Sequence, residues 1–299
     1  MPAAVRGEPR VLVAPDKLRG TLSAAEAARI MGDAATAAGF QPDLVPLSDG
    51  GEGFLDALAV LGGEVRRSRV TGPLGAPTVA EWRLGDAAAV IESAQASGLA
   101  LVGGSAGNDA VAATSRGTGE LVVEALAAGA RRVLVGVGGS ATTDGGLGAV
   151  AAIEEAGGPG DAELVVACDV RIPFVEAAER FGPQKGASQR EVALLRRRLE
   201  ELAEEYRRRY GLDVAGRAGS GAAGGLAGGL AALGAHLVPG FEVVADAVGL
   251  ASRLGPAALV LGAEGRLDAS SWDGKVVDGL ALHSFPTRRS SDLDRKSVV

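Results

Sequence analysis

Short apolar runs alternate with stretches of helical spacing along most of this 299-residue chain. Val11 to Ala14 is an apolar run closed by Pro15. Ser23 and Glu26 then stand at capping-box spacing ahead of an alanine-rich stretch, so strand, loop and helix are expected in that order. A second strand is expected over 43–47. It runs into Ser48-Asp49-Gly50-Gly51-Glu52-Gly53, after which Phe54 to Leu61 returns to helical spacing. Strands alternating with helices predict a parallel sheet in an α/β protein. From Gly62 to Leu101 the pattern changes to alternating segments, 64–70 and 78–84, separated by Gly72-Pro73 and Gly85-Asp86, which predicts an antiparallel excursion. The alternation then resumes with a helix near 119–128 stopped by Gly129, a strand over 132–137, a glycine-rich loop over 138–146 and a strand over 163–167. Ser188 and Glu191 make a second capping box, and Val192, Leu195, Leu199, Leu202 and Tyr206 stripe one face of a long helix. The last strand is expected over 257–262, ending in Glu264-Gly265-Arg266-Leu267-Asp268.

Composition narrows the classes. A hydrophobic share of 47% with 22% charged residues is that of a globular chain, and the length suits two domains. The formal net charge of -7 argues against a grip on nucleic acid or on an anionic membrane, and the arginine runs 196–198 and 207–209 read as solvated helix faces. Cys168 is the single cysteine and only two histidines are present, so neither an intramolecular disulfide nor a structural zinc site is expected, and a cytoplasmic setting fits. No charged segment followed by an apolar core opens the chain, so no export signal is read. The uncharged stretch 219–241 carries glycine where a membrane span would carry large aliphatic residues.

Four loops share one design, an apolar strand ending in acidic residues among glycines: Asp16-Lys17, Asp49 to Gly53, Ser140 to Gly146, and Glu264 to Asp268. Ligands in open α/β sheets sit outside the carboxyl ends of strands, where such loops emerge. Glycines let backbone amides approach phosphate oxygens, and carboxylates can hold a divalent cation that bridges them. The competing reading is that Asp49 and Asp144 cap helices while the glycines make turns. Lysine usage favours a site: four of the 30 basic residues are lysines, and Lys17, Lys185 and Lys275 fall in glycine-bearing loops, where a compact point charge suits phosphate. Gly274-Lys275 does not belong to a Walker A loop, and no protein-kinase motif set is present. Gly136 to Ala141 and Gly219 to Gly224 both have dinucleotide-fingerprint spacing, which keeps an NAD-linked oxidoreductase open as the alternative.

Taken in order, several segments resemble the bacterial glycerate kinase family: Ala14 to Lys17, Ser48 to Gly53, Thr71 to Gly75, Thr114 to Glu120, Gly136 to Gly146, Ala167 to Val170, Phe181 to Gly186, Gly219 to Gly225 and Gly262 to Asp268. The resemblance runs from about residue 11 to 280. It implies ATP-dependent phosphorylation of D-glycerate, usually at the 2-hydroxyl, with Mg2+. It also implies two α/β domains, one flavodoxin-like with a Rossmann-like parallel sheet and one distinct, with the active site in the cleft between them. Domain boundaries expected on that basis are 1–66 for the first part of the flavodoxin-like domain, 67–255 for the second domain and 256–282 for a return to the first. Residues 283–299, without glycine or alanine, read as a non-native tail. Phosphoryl transfer needs positioning and charge neutralisation, so Lys17, Asp49, Asp144, Lys185 and Asp268 are the catalytic candidates. Asp16, Ser48, Glu52, Arg266 and Lys275 are candidates for holding substrate, with Arg266 able to fork onto the glycerate carboxylate. Gly138, Gly139, Ser140, Gly219 and Gly221 are candidates for holding nucleotide, and Asp49, Asp144 and Glu264 for holding metal. A non-catalytic nucleotide-binding remnant is the third reading, and a homodimer is the one self-association considered.

Overall fold

The computed structural model describes residues 8–18, 20–86, 88–265 and 276–284. Strand β1 (Arg10–Val13) leads to α1 (Ala24–Ala37). In its capping box the Ser23 hydroxyl accepts from Glu26 N while the Glu26 carboxylate accepts from Ser23 N. Strand β2 (Gln41–Leu44) precedes the expected window. Residues 45–47 still run beside the continuation of β1, with Val45 N donating to Val13 O and Leu47 N to Pro15 O, but Pro46 and Pro15 break the regular ladder. The short helix α2 (Phe54–Ala57) passes into a 3-10 turn over Leu58–Leu61. Strands β3 (Glu64–Thr71) and β4 (Pro77–Leu84) form the expected antiparallel hairpin, in register from Glu64↔Leu84 to Thr71↔Pro77.

Strand β5 (Ala89–Glu92) is antiparallel to β4. There follow α3 (Ala94–Ser97), α4 (Arg116–Ala127), β6 (Arg132–Gly136), α5 (Leu147–Glu155), β7 (Glu163–Ala167) and α6 (Ala177–Phe181). The second capping box opens α7 (Gln189–Tyr210), whose Leu195, Leu199, Leu202 and Tyr206 are buried as their spacing predicts. The chain closes with α8 (Leu226–Ala232), β8 (His236–Val238), α9 (Gly240–Ala247), α10 (Leu250–Leu254), β9 (Leu259–Leu261) and α11 (Val276–Ser284). Strands β5 and β8 and helices α8 to α10 were not anticipated. Among the described residues no helix is long and apolar enough to cross a membrane.

Two compact units result. One holds the described positions up to 49, positions 56–60 and those from 241 on; the other holds 50–55 and 61–240. The chain crosses between the units at 50, 56, 61 and 241, where 67 and 256 were expected. The first unit has a parallel three-stranded sheet, β2-β1-β9. The second has a six-stranded sheet, β3-β4-β5-β6-β7-β8, antiparallel up to β5 and parallel beyond it. The fold is therefore α/β with two distinct sheets. Trp82, Ile91, Leu121, Val133, Val135, Ile153, Val166 and Leu230 fill the core of the second unit. A satellite cluster of Phe174, Leu195, Leu199 and Tyr206 seals α7 onto it. Helix α11 runs through Ser284, taking in the first two residues of the expected tail, and the His283 ring packs on Phe241.

Candidate functional site

In the first unit the acidic loops do leave the carboxyl ends of neighbouring parallel strands. Beyond β1, Ala14 N donates to Leu261 O and Asp16 N to Ala263 O, so 14–16 and 261–263 continue side by side past the regular sheet. This brings Asp16, Lys17, Ser48, Asp49 and Glu264 to one edge. Lys17 Nζ lies 3.3 Å from Asp49 Oδ1 and 3.7 Å from Asp16 Oδ1. Asp16 is nearly buried, and desolvation raises its carboxyl to about 6; the charge of Lys17 opposes that rise, and the charges of Asp49 and Glu264 add to it. Ser48 is buried and Glu52 exposed. Arg266, Asp268 and Lys275 lie outside the described residues.

The second unit gathers the glycine loops over the carboxyl ends of β5, β6 and β7. A Cβ on Gly138 would stand 2.7 Å from Gly51 Cα, and one on Gly136 would stand 2.6 Å from Gly50 O. Only glycine permits this backbone stacking. The buried carboxylate of Glu92, at the end of β5, accepts from Gly53 N and Leu55 N at 3.1 and 3.3 Å and so ties down the loop 50–55.

Loop 138–146 is anchored along its whole length. Leu99 N donates to Gly139 O, Ala141 N to Ser97 O and Gly145 N to Gly224 O. Lys185 Nζ donates to Ser140 Oγ at 2.9 Å and to Thr142 O at 2.5 Å. Among the described residues no acceptor meets the amides of Gly138, Gly139, Ser140, Thr142 or Thr143. A loop with unengaged amides can cradle an anion, and Gly138 and Gly139 are its accessible positions, Ser140, Thr142 and Thr143 being buried.

Three groups of candidate residues are bonded or packed within the second unit. Asp144 accepts from Ser115 N and Ser115 Oγ, both at 2.8 Å, from Gly146 N at 3.1 Å and from Gly148 N at 3.2 Å. This is the bonding of a helix cap, with three of the four bonds on Oδ2 and one on Oδ1. Lys185 is 3% exposed, with its donors turned to the loop backbone and hydroxyl. Gly219 and Gly221 are buried; Gly221 N donates to Ile172 O, and a Cβ there would lie 2.4 Å from Pro173 O. Nor does Gly136 to Ala141 have the dinucleotide geometry, since α5 begins only at Leu147 rather than within the glycine turn.

The sequence profile described as the glycerate kinase family matches residues 11–156 and 158–285. The chain belongs to the glycerate kinase family. A glycerate 2-kinase from Escherichia coli (strain K12) is 40% identical over 91% of this chain and 81% of its own length. A glycerate kinase from Bacillus subtilis (strain 168) is 37% identical over the same shares. A solved structure described as a glycerate kinase 2 from Salmonella typhimurium LT2 superposes with a TM-score of 0.79 at 36% identity, covering 94% of this chain and 85% of that one. None of these relatives supports the oxidoreductase alternative.

In this glycerate kinase family member, sequence reasoning missed Glu92, Asn108 and Ser115. Glu92 and Asn108 are single polar residues in unremarkable contexts, Ser115 lies unmarked inside the segment Thr114 to Glu120, and only distant partners distinguish each of them. The segment Thr114 to Glu120 also proves to be packing. A Cβ on Gly117 would lie 2.0 Å from Thr71 O, one on Gly119 would lie 2.4 Å from Ala149 O, and Glu120 accepts from both Thr71 N and Thr71 Oγ1.

Proposed function

We propose that the protein transfers the terminal phosphoryl group of ATP to a hydroxyl of D-glycerate, with 2-phosphoglycerate as the product. The reading is supported by loop 138–146, tied from several sides, whose accessible Gly138 and Gly139 amides can meet phosphate oxygens. Phosphoryl transfer asks mainly for positioning and for donors in place before charge develops, which such a loop supplies without reorganisation. Gly138, Gly139 and Ser140 are its nucleotide-facing residues, while Gly219 and Gly221 pack on the segment 168–173 and Gly224 and Gly225 support the loop itself.

At the edge of the first sheet, Lys17 supplies fixed positive charge for phosphate or for the glycerate carboxylate, and Ser48 supplies a hydroxyl. Asp16, whose buried carboxyl titrates near 6, is suited to take the proton from the acceptor hydroxyl. Among the described residues no group of three or more His, Cys, Asp or Glu side chains is arranged to hold a metal ion. A kinase Mg2+ needs fewer, because one or two carboxylates and the phosphates themselves complete its shell. Crowded carboxylates around Lys17 fit that role, and Asp49 and Glu264 would hold the ion, which would supply charge neutralisation at the phosphate oxygens. Asp144 is reassigned to holding the loop.

The test is ADP formation from ATP and D-glycerate in a coupled assay, with the product's phosphate position read by 31P NMR. ADP release that depends on D-glycerate, with phosphate on the 2-hydroxyl, is expected. A 3-phosphorylated product would overturn the regiochemistry, and no glycerate-dependent ADP would overturn the activity.

A further inference from the structure

Asn108 lies in the irregular stretch between α3 and α4, and nothing in its neighbourhood along the chain marks it. Its amide nitrogen donates to Lys185 O at 2.8 Å and to Ala141 O at 3.1 Å, so one side chain bridges the glycine loop and the lysine segment. Lys185 returns the connection through Nζ to Ser140 Oγ and Thr142 O. Two side chains thus hold three consecutive loop residues, 140 to 142. The lysine segment is itself set by close approach: Gly186 has φ +93, and a Cβ there would stand 2.5 Å from Ser105 O. The orientation of Asn108 follows from its partners, since the flipped amide would put its oxygen against two carbonyl oxygens. Oδ1 is buried with no partner among the described residues, so the two donated bonds alone decide where this side chain points.

We propose that Asn108 is a positioning residue for phosphoryl transfer, clamping Ala141 to the Lys185 segment so that the loop amides keep one orientation toward phosphate. The proposal rests on the reading of loop 138–146 as the phosphate cradle. Lys185 acts through the same clamp. Sealed under the loop, it reaches phosphate only by shaping the backbone that does.

Asn108→Asp and Asn108→Ala separate this role from bulk stability. Aspartate has asparagine's shape but no amide hydrogens, and it sets a carboxylate against two carbonyls; alanine deletes both bonds without repulsion. Full-length wild type and both variants are compared by steady-state kinetics with ATP and D-glycerate, by calorimetric titration with ADP and by thermal melting. The expected result is a loss in kcat/KM for ATP of roughly tenfold to a hundredfold in Asn108→Asp and a smaller loss in Asn108→Ala. KM for D-glycerate should stay within about twofold in both. Unchanged ATP kinetics in a folded Asn108→Asp protein, or losses that follow melting temperature and strike both substrates equally, would overturn the clamp. So would an Asn108→Ala protein without a cooperative melt, which would make the contact purely structural. Wild-type protein that does not bind ADP would instead overturn the cradle, and the clamp with it.

Discussion

Lys185→Met is the substitution that tests most directly how the glycine loop is held. Burial, opposed in part by the charge of Asp144, lowers the Lys185 ammonium from 10.5 to about 7. At 1.36 kcal/mol per pH unit, that difference corresponds to a cost of about 5 kcal/mol for folding the charged form. Below pH 7 both the folded and the unfolded chain carry the proton, and the cost is borne in full. Between about 7 and 10.5 the unfolded chain holds a proton that the folded chain has released, so stability rises with pH. Methionine keeps the aliphatic stem and removes the titration. It also leaves Ser140 Oγ and Thr142 O without their donor, at about 1–3 kcal/mol for each group. The variant should therefore match or exceed wild-type stability at pH 6.5. Wild type should then gain on it by about 3 kcal/mol on reaching pH 9. Urea unfolding can be followed through Trp82, which is buried on β4 in the same unit, with Trp272→Phe in both proteins. Turnover should drop in Lys185→Met at every pH, because the loop loses its inner anchor. A stability difference that stays constant from pH 6.5 to 9 would refute the reasoning, since it would mean that Lys185 keeps its charge on burial.

Two further outcomes follow from the same geometry. The Asp16 carboxyl is raised from 3.8 to about 6, so its ionised form adds a cost that is absent below pH 3.8, grows up to about 6 and amounts to about 3 kcal/mol above that. In metal-free protein, Asp16→Asn should be more stable than wild type at pH 7.5 and equal to it near pH 4, as measured by urea midpoints, while losing turnover. Gly224 has φ +69, and a Cβ there would meet Thr142 O at 2.0 Å. Gly224→Ala should therefore cost about 2 kcal/mol or more and raise KM for ATP by displacing the loop; an unchanged melting temperature would count against that packing.

Local signals carried most of the elements. Both capping boxes formed where Ser23-Glu26 and Ser188-Glu191 stand, because a cap depends on residues three apart and on little else. The β3-β4 hairpin and the buried stripe of α7 likewise follow from period and turn chemistry. Strand β8 was invisible: three residues, His236–Val238, become a strand only because β7 is there to pair with them. Candidate residues divided in the same way. The acidic loops were legible as types, but whether a carboxylate faces a ligand or a helix end depends on donors far off in sequence. Asp144 finds Ser115, and Glu92 finds Gly53 and Leu55.

The chain by itself determined the alternation of strand and helix, the placing of glycine and acid after apolar runs, and the ordered segments that resemble the glycerate kinase family. Those are properties of residues near one another, set by backbone preference and hydrophobic period. Tertiary structure alone decided which glycines allow two backbones to touch, and it tied Asp144 to Ser115 and Lys185 to loop 140–142. The reason is physical: a hydrogen bond, or a packing so close that a Cβ on Gly224 would stand 2.0 Å from Thr142 O, is made between segments that only folding brings together.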